Sequence, residues 1–376
     1  MQHPADTDIR SADRLPTVGA AVAGSRTPNS SGGTTSLYTA GLAFTAWEID
    51  FFGRIASLSE AALAQFLGSE EGRKAAQITL VSAVASTWLT LVADEELLAI
   101  TVQTLASREE SLRLSRLRLD AGATSEIDFR LAQSLAEGAR ATLAQLQRQR
   151  ALDRNALALL VGQPLPPDLD GGTSTEVIAL PDLPAGTPSD VLVRRPDVRQ
   201  AEQQLIAANA NIGAARAAFF PRISLTAGIG TASSELSGLF KGGSWGLTVA
   251  PQLLLPIFDA GRNAAGLRSA RVSREIALAQ YEKAIQSAFR EVADALAGRA
   301  TLGEQLQAQR NVAEAETVRL RLAQLRYDNG VASSLDLLDA QRSLFTARQA
   351  LVQTRLVQLQ NQVLLYKALG GGWNAD

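Results

Sequence analysis

The chain has 376 residues, of which 46% are hydrophobic and 20% are charged. Its 36 basic and 38 acidic side chains leave a formal net charge of −2, so no global field favours nucleic acid. There is no cysteine and the only histidine is His3, which excludes disulfides, thiolate metal sites and most zinc or triad chemistry. We therefore expect a protein that is not an enzyme, with no catalytic residue, cofactor, metal or nucleic-acid partner.

The N-terminus begins MQHPADTDIRSADRLPTVGA and has no basic segment followed by an apolar core. It is therefore not a secretory signal peptide. Period-two alternation then predicts two strands, TVGAAVAGS at 17–25 and SLYTAGLAFTAW at 36–47. The Gly/Ser/Pro-rich linker at 26–36 suits an exposed hairpin loop. This alternation is typical of transmembrane β-barrel strands and of any half-buried strand.

A long helix is predicted over 53–118 and a shorter one over 124–162. At ~1.5 Å per residue the longer helix extends about 100 Å, so it needs partners along its length. Its stretch at 75–93 has no charge and the length of a membrane span, but six polar residues dilute it. We therefore predict a helix packed against neighbouring helices.

Gly122 can adopt positive φ where the long helix ends, and Ser125 can cap the next helix.

The same units recur at a constant offset of 208 residues. This offset pairs Gly53 with Gly261, Gly122 with Gly330, Asp128 with Asp336 and Gly162 with Gly370. Strands RISLTAGIG at 222–230 and GSWGLTVA at 243–250 are again followed by helices, here at 261–328 and 332–369, with Ser333 or Ser334 as the cap. A constant spacing over a hundred residues indicates a duplicated half-molecule whose spacings are structural lengths.

The shorter helix of the second unit carries two adjacent apolar rows at seven-residue intervals. They suit a helix packed on both sides in a coiled-coil sheet or barrel. The rows are Leu338, Phe345, Val352, Leu359 and Tyr366, and Leu337, Leu344, Leu351 and Leu365.

These features divide the chain into eight segments. They are a residual N-terminal tail (1–14), the first β-hairpin (15–52), the first helical hairpin (53–162), a linker (163–188), the helix of the second repeat (189–219), the second β-hairpin (220–260), the second helical hairpin (261–370) and a C-terminal tail (371–376).

Four motifs together resemble the outer membrane factor family, the TolC-like channels, and especially the branch that works with RND pumps. They are LPTVGA at 15–20 with FFPRISLTAG at 219–228, WEIDFFGRI at 47–55 with LPIFDAGRN at 255–263, RRPDVRQAEQQLIAANANIGAARAAFFP at 194–221, and LRYDNGVASSLDLLDAQRSLFTARQAL at 325–351. The resemblance covers residues 15 to 370.

The resemblance implies a mixed α+β membrane protein that forms a homotrimer. Each chain would give four strands to a twelve-stranded barrel in outer membrane lipid, and the helices would continue as a periplasmic α-barrel with segment 163–188 near its equator. The function implied is passive outward conduction of drugs or other small molecules. The implied partners are a periplasmic adaptor (membrane fusion) protein and, through it, an inner-membrane RND-type pump.

The resemblance also implies a periplasmic gate at the helical turns. Its pore or gate positions map onto Asp128, Tyr327, Asp336 and Asp339. Tyr327 would hydrogen-bond across the closed entrance, and threefold rings of Asp336 or Asp339 would raise their pKa values or recruit cations. The alternative for each aspartate is a helix N-terminal charge or a solvated side chain.

A basic residue found in some relatives is Ala332 here, which puts in doubt any gate ion pair based on that residue. The adaptor-contacting tips would be Gly122, Ala123, Thr124, Gly330, Val331 and Ala332.

The chain departs from the family pattern at its start. The helix that would match 189–219 has no room before the first hairpin, and the usual signal peptide, often with a lipid-modified cysteine, is absent, so the chain resembles an N-terminally truncated member.

The competing hypothesis is a soluble periplasmic coiled-coil tether or adaptor without a pore. That hypothesis explains the apolar rows but leaves the four barrel-length strands without a role.

Overall fold

A computed structural model describes residues 8–9, 11–28, 32–166, 174–180 and 193–371. Its main elements are β1 (Val18–Pro28), β2 (Thr34–Ile49), α1 (Arg54–Asp120), α2 (Glu126–Val161), α3 (Pro196–Ala217), β3 (Arg222–Ser233), β4 (Trp245–Leu254), α4 (Arg262–Asp328) and α5 (Ser334–Ala368). A short 3-10 helix, Leu236–Gly238, lies between β3 and β4. The residues divide into two compact units, 1–74 with 196–286 and 75–195 with 287–376.

The 208-residue offset corresponds to equal helix lengths in the two repeats. Helices α1 and α4 each have 67 residues, and both their first and their last residues differ by this offset. The glycines that follow them, Gly122 and Gly330, have φ of 70° and 69°, which confirms the predicted left-handed turn residues. An inserted residue would therefore move the turn and every contact beyond it.

Some element bounds differ from those expected. Helix α1 extends two residues beyond the predicted end at 118, and strand β1 extends into the predicted linker as far as Pro28. Helix α3 begins at Pro196, because proline at the first helical position has a suitable φ and no amide to satisfy. The start of the predicted helix at 189–192, the linker residues 167–173 and 181–188, and parts of both tails lie outside the described residues.

In the first unit the strands form one antiparallel sheet in the order β1-β2-β3-β4. Gly41 lies opposite Gly230 across β2 and β3. A Cβ atom on Gly41 would lie 2.5 Å from the carbonyl oxygen of Ile229, and one on Gly230 would lie 2.5 Å from that of Ala40. Glycine is therefore required at this close crossing of two backbones.

The pairing of β2 with β3 is interrupted between Phe44 and Trp47. Ala46 has φ of 52°, an uncommon conformation for a residue with a side chain. Its amide is satisfied by the hydroxyl of Thr226 at 3.0 Å, so the irregularity leaves this donor bonded.

Glu48, which follows this irregularity in β2, connects β2 to α1 and β3. Glu48 at the end of β2 accepts two hydrogen bonds from Arg54 of α1, at 2.8 and 2.6 Å, and two from Arg222 of β3, at 3.2 and 2.7 Å. The paired geometry orients the guanidinium of Arg54 as well as attracting it. Helix α1 therefore leaves the sheet in a defined direction.

The second unit has a coiled-coil core. Leu89 of α1 packs with Leu359 and Val363 of α5, and Ala93 and Leu97 pack with Val352. The predicted row is confirmed from Leu338 to Leu359, whose members are buried. Tyr366, the last member, is 39% exposed and bonds the carbonyl of Gly371, so the row ends one heptad earlier than expected.

Helix α1 contains an 18-residue stretch apolar and long enough to cross a membrane by composition. Thr90, within the apolar stretch at 75–93, has protein partners, however: Gln360 of α5 donates to its hydroxyl at 3.0 Å, and Thr90 donates to the carbonyl of Ser86. These contacts agree with the prediction of a helix packed against its neighbours.

Candidate functional site

The turn between α1 and α2 is closed at both helix ends. Ala123 donates its amide to the carbonyl of Arg118 at 2.7 Å, and Gly122 donates to Leu119 at 2.9 Å, a C-terminal arrangement that the left-handed glycine permits. The hydroxyl of Ser125 accepts from the amide of Asp128 at 3.2 Å. The first turn of α2 is thereby capped as the sequence predicted.

The turn between α4 and α5 repeats this arrangement. Val331 donates to the carbonyl of Arg326 at 2.8 Å, and Gly330 donates to Tyr327 at 3.0 Å. Ser333 and Asp336 form a reciprocal capping box, in which each side chain bonds the backbone amide of the other residue. Of the two serines proposed as caps, Ser333 is therefore the cap and Ser334 begins the helix.

Asp128 and Asp336 both lie at the capping position. The carboxylate of Asp128 accepts from the hydroxyls of Ser125 at 2.8 Å and Thr124 at 3.1 Å. These bonds, with Ser125 the larger cause, lower the pKa of Asp128 because they favour the charged form. Within one chain both aspartates are therefore charged residues at a helix N-terminus, which is one of the alternatives stated in the sequence analysis. A pore-facing role for them stays a prediction.

Tyr327 contacts Arg118, a residue that the sequence pattern did not identify as part of the site. The guanidinium of Arg118, in the last turn of α1, bonds the phenol oxygen of Tyr327 in the last turn of α4. Its central carbon also lies 4.7 Å from the centre of the tyrosine ring, within the range of a cation–π interaction. The ends of the two long helices are therefore joined through these side chains.

Asp339 is held by two arginines. Arg319 of α4 donates to Asp339 of α5 at 2.5 Å, and Arg342, one turn further along α5, bonds the other carboxylate oxygen. Arg319 also pairs with Glu316 at 3.2 Å. Within one chain the bond from Arg319 is the main cause that lowers the pKa of Asp339, and a rise caused by a threefold ring of carboxylates stays a prediction.

The basic residues that contact Tyr327 and Asp339 lie at positions other than 332. Arg342 lies three residues after Asp339, a spacing that the sequence does show. Arg118 and Arg319 belong to other helices than their partners, and no local pattern identifies them. A gate role for these residues stays a prediction.

A cavity of about 250 Å³ lies beside these contacts. Arg118, Tyr327, Ser334 and Thr124 line it, together with the buried Leu337. Within the part of the chain that the structure describes, no group of three or more His, Asp and Glu side chains is arranged to hold a metal ion. The site is therefore a set of charged and hydroxyl contacts between helix ends.

The six predicted tip residues lie at the two turns. Gly122, Ala123, Gly330 and Val331 are exposed, and Thr124 and Ala332 are half-buried. Val331 is 67% exposed, so a branched apolar side chain projects from the second turn. These residues are available for contact with another molecule.

Known proteins with similar sequences are outer membrane components of efflux pumps. The sequence model of the outer membrane efflux protein family matches residues 2–163 and 187–371. The chain is 48% identical over 375 residues to the solvent efflux pump outer membrane protein SrpC of Pseudomonas putida, covering 98% of this chain and 80% of that protein.

Solved structures show the same fold. A membrane protein from Pseudomonas aeruginosa matches with a TM-score of 0.92 and 44% identity over 99% of this chain and 85% of that chain. The open state of the MtrE outer membrane channel of Neisseria gonorrhoeae matches with a TM-score of 0.90 and 42% identity over 99% and 84%. The soluble tether is thereby excluded, and the resemblance to the outer membrane factors is confirmed. The chain belongs to the outer membrane efflux protein family and is an outer membrane channel component of an efflux system.

Proposed function

We propose that three copies of the chain close a twelve-stranded barrel in outer membrane lipid, and that the trimer passively conducts drugs or other small molecules outward. The observation that carries this proposal is the sheet with two free edges. β1 and β4 are the outer strands of the order β1-β2-β3-β4, and each pairs on one side only.

The free edges cannot remain unpaired in a bilayer. Every described residue of β1 and of β4 is exposed, including Val22 at 82% and Leu247 at 74%. Lipid offers no hydrogen bonds to an open strand edge, so a spanning sheet must close on itself. Four strands are too few to form such a barrel, whereas three copies supply twelve, an even number within the known range.

Disulfide cross-linking tests the closure, because the chain has no cysteine of its own. Ala21→Cys in β1 is combined in turn with Val249→Cys, Ala250→Cys and Pro251→Cys in β4, and membranes are oxidised before denaturing electrophoresis. We expect at least one pair to give covalent trimers. Each single variant is the matched control and should give no trimer. Monomers from every pair would contradict the closure.

The helical turns form the gated entrance in this proposal, with Asp128, Tyr327, Asp336 and Asp339 as its pore or gate residues. Support comes from the contacts between helix ends. Arg118 joins α1 to Tyr327 of α4, and Arg319 joins α4 to Asp339 of α5. Because these bonds hold three helix ends in one arrangement, breaking them favours any other arrangement, including an open one.

Single-channel conductance in planar bilayers tests the gate. Asp339→Asn and Tyr327→Phe each remove one inter-helix bond and should raise the open probability or the conductance of the reconstituted trimer. Asp294→Asn is the control, since Asp294 is 68% exposed at the side chain and pairs only within α4, with Arg290 at 3.9 Å. Identical traces from all three variants and the unmodified protein would refute the gate assignment.

A periplasmic adaptor protein docks on the turns in this proposal and connects the channel to an inner-membrane RND-type pump. The contact surface is Gly122, Ala123, Thr124, Gly330, Val331 and Ala332. A photo-reactive label on Val331→Cys should cross-link to the co-expressed adaptor. The same label on Val272→Cys, on the exposed surface of α4, is the control. Equal cross-linking from both positions would argue against docking at the turns.

A further inference from the structure

We infer that the second unit contains a binding site for a small oxyanion, in a cavity between α1, α4 and α5 where Arg108 is the buried cation. The cavity has a volume of about 160 Å³. Its polar lining consists of Gln103, Thr104, Ser107, Arg108, Gln341 and Arg348. A single water needs only roughly 10–15 Å³ of such space, so a larger guest fits.

Arg108 is a buried charge without a counter-charge. Only 5% of the residue is exposed, and no carboxylate within the described ranges forms an ion pair with it. One terminal nitrogen donates to the carbonyl of Leu135 at 2.9 Å, and the guanidinium lies 5.0 Å from the ring centre of Phe345. Its Nε has no hydrogen-bond partner. Burial alone lowers the pKa of Arg108, and a buried unpaired cation is costly.

The other polar groups of the lining are compatible with an anion. Arg348 is half-buried and makes no hydrogen bond or ion pair with the residues that the structure describes. Gln341 is 9% exposed and donates to the hydroxyl of Ser111 at 3.3 Å, while its Oε1 has no partner. A half-turn of this amide would exchange the positions of its NH2 group and its oxygen. The hydroxyl of Ser111, which donates to the carbonyl of Ser107 at 3.1 Å, would then turn to donate to the amide oxygen.

A neighbouring cavity differs from the Arg108 cavity because acidic residues line it. It has about 220 Å³, shares Arg348, and adds Arg310 and Arg355 to the lining. Glu96 and Glu176 also line it, so its cations face carboxylates. The described lining of the Arg108 cavity contains no acidic residue. Two guanidinium groups without a carboxylate favour a bound oxyanion, because their planar donor pairs match its oxygens.

Such an anion would join α1 to α5, since Arg108 and Arg348 belong to these helices. Ligand binding to the folded state raises its stability, so the midpoint of thermal unfolding should depend on the anion concentration. Sulfate is the probe, compared with gluconate at equal ionic strength on the purified trimer in detergent. Sulfate also stabilises proteins generally, so only the difference between variants is interpreted.

The test compares Arg108→Met with Arg290→Met, an arginine on α4 whose side chain is 76% exposed. We expect sulfate to raise the midpoint of the unmodified protein and of Arg290→Met by roughly 2–4 °C more than that of Arg108→Met. Arg348→Met should lose part of the response, and it replaces Arg108→Met if that variant fails to fold. Equal responses in all variants would overturn the site.

Crystals grown with selenate supply a direct readout, because selenium scatters anomalously and selenate mimics sulfate. A selenium peak within hydrogen-bond distance of the Arg108 guanidinium would support the inference. An empty cavity, or a carboxylate of a neighbouring protomer at Arg108, would overturn it. Neither result depends on channel conduction, so the site is judged separately from the gate.

Discussion

Asp128 and Asp336 lie 208 positions apart and make the same contact with the serine three residues before them. The hydroxyl of Ser125 donates to Asp128 at 2.8 Å, and that of Ser333 donates to Asp336 at 3.0 Å. In both turns the serine also accepts from the amide of the aspartate. The duplication has therefore kept a capping interaction and not only a spacing.

Loss of either cap should destabilise the helical hairpin that follows it. Ser125→Ala and Ser333→Ala are each expected to lower the free energy of unfolding by about 1 kcal/mol, because the amide of Asp128 or Asp336 in the first helical turn loses its acceptor. The effects should add, since the serines cap different helices. Thermal and denaturant unfolding of the solubilised protein measures them. Ser273→Ala, on the exposed surface of α4, is the control and should be neutral or slightly stabilising.

The crossing of Gly41 and Gly230 should tolerate no side chain. Gly41→Ala places a Cβ 2.5 Å from a backbone oxygen, so the two strands must separate or shift register. We expect little folded protein in the outer membrane, measured as heat-modifiable migration on electrophoresis. Gly19→Ala in β1 and Gly246→Ala in β4 are the comparison variants, because within one chain a Cβ at either position meets nothing within 4 Å. A normal yield of folded Gly41→Ala would contradict this account.

Asp94 should make stability depend on pH near neutrality. It is 7% exposed, and burial, followed by its hydrogen bond and repulsion with Asp153, raises its pKa to about 7. Since the folded pKa lies above the unfolded value of about 3.9, the folded state binds the extra proton between these values. Stability should therefore fall as pH rises from about 4 to 7 and then level off.

Asp94→Asn removes this titration. The variant should be more stable than the unmodified protein at pH 8, by about 1–2 kcal/mol per protomer because solvent and the shared titration with Asp153 reduce the effect, and the difference should shrink as pH falls below 7. Unfolding midpoints measured from pH 5 to pH 8 give this difference directly. Asp294→Asn, at an exposed position of α4, should show no such pH dependence. A difference that is constant across this range would show that Asp94 does not titrate near neutrality.

The Arg118–Tyr327 contact should have a measurable coupling energy. Tyr327→Phe keeps the aromatic ring but removes the hydroxyl, whereas Arg118→Ala removes both the hydrogen bond and the cation. A double-mutant cycle on unfolding free energy should give a coupling of about 0.5–1 kcal/mol, because the pair is exposed to solvent. Additive single effects would show that the two side chains act independently.

Several features of the site were predictable because they depend on residues close together in the chain. A glycine followed three residues later by a serine predicts the end of one helix and the cap of the next, and both turns have this form. The aspartates at the capping position follow from the same local pattern. The buried row from Leu338 to Leu359 follows from a seven-residue period.

The sequence by itself determined the duplicated plan, the lengths of the long helices, the turn residues and the family. Only the tertiary structure decided which side chains meet between helices: Arg118 with Tyr327, Arg319 with Asp339, and Arg108 with the carbonyl of Leu135. The physical reason is that capping and periodicity act within a few residues of backbone, where geometry repeats. A contact between helices depends on how each helix is rotated about its axis and shifted along it, which the whole packed core sets.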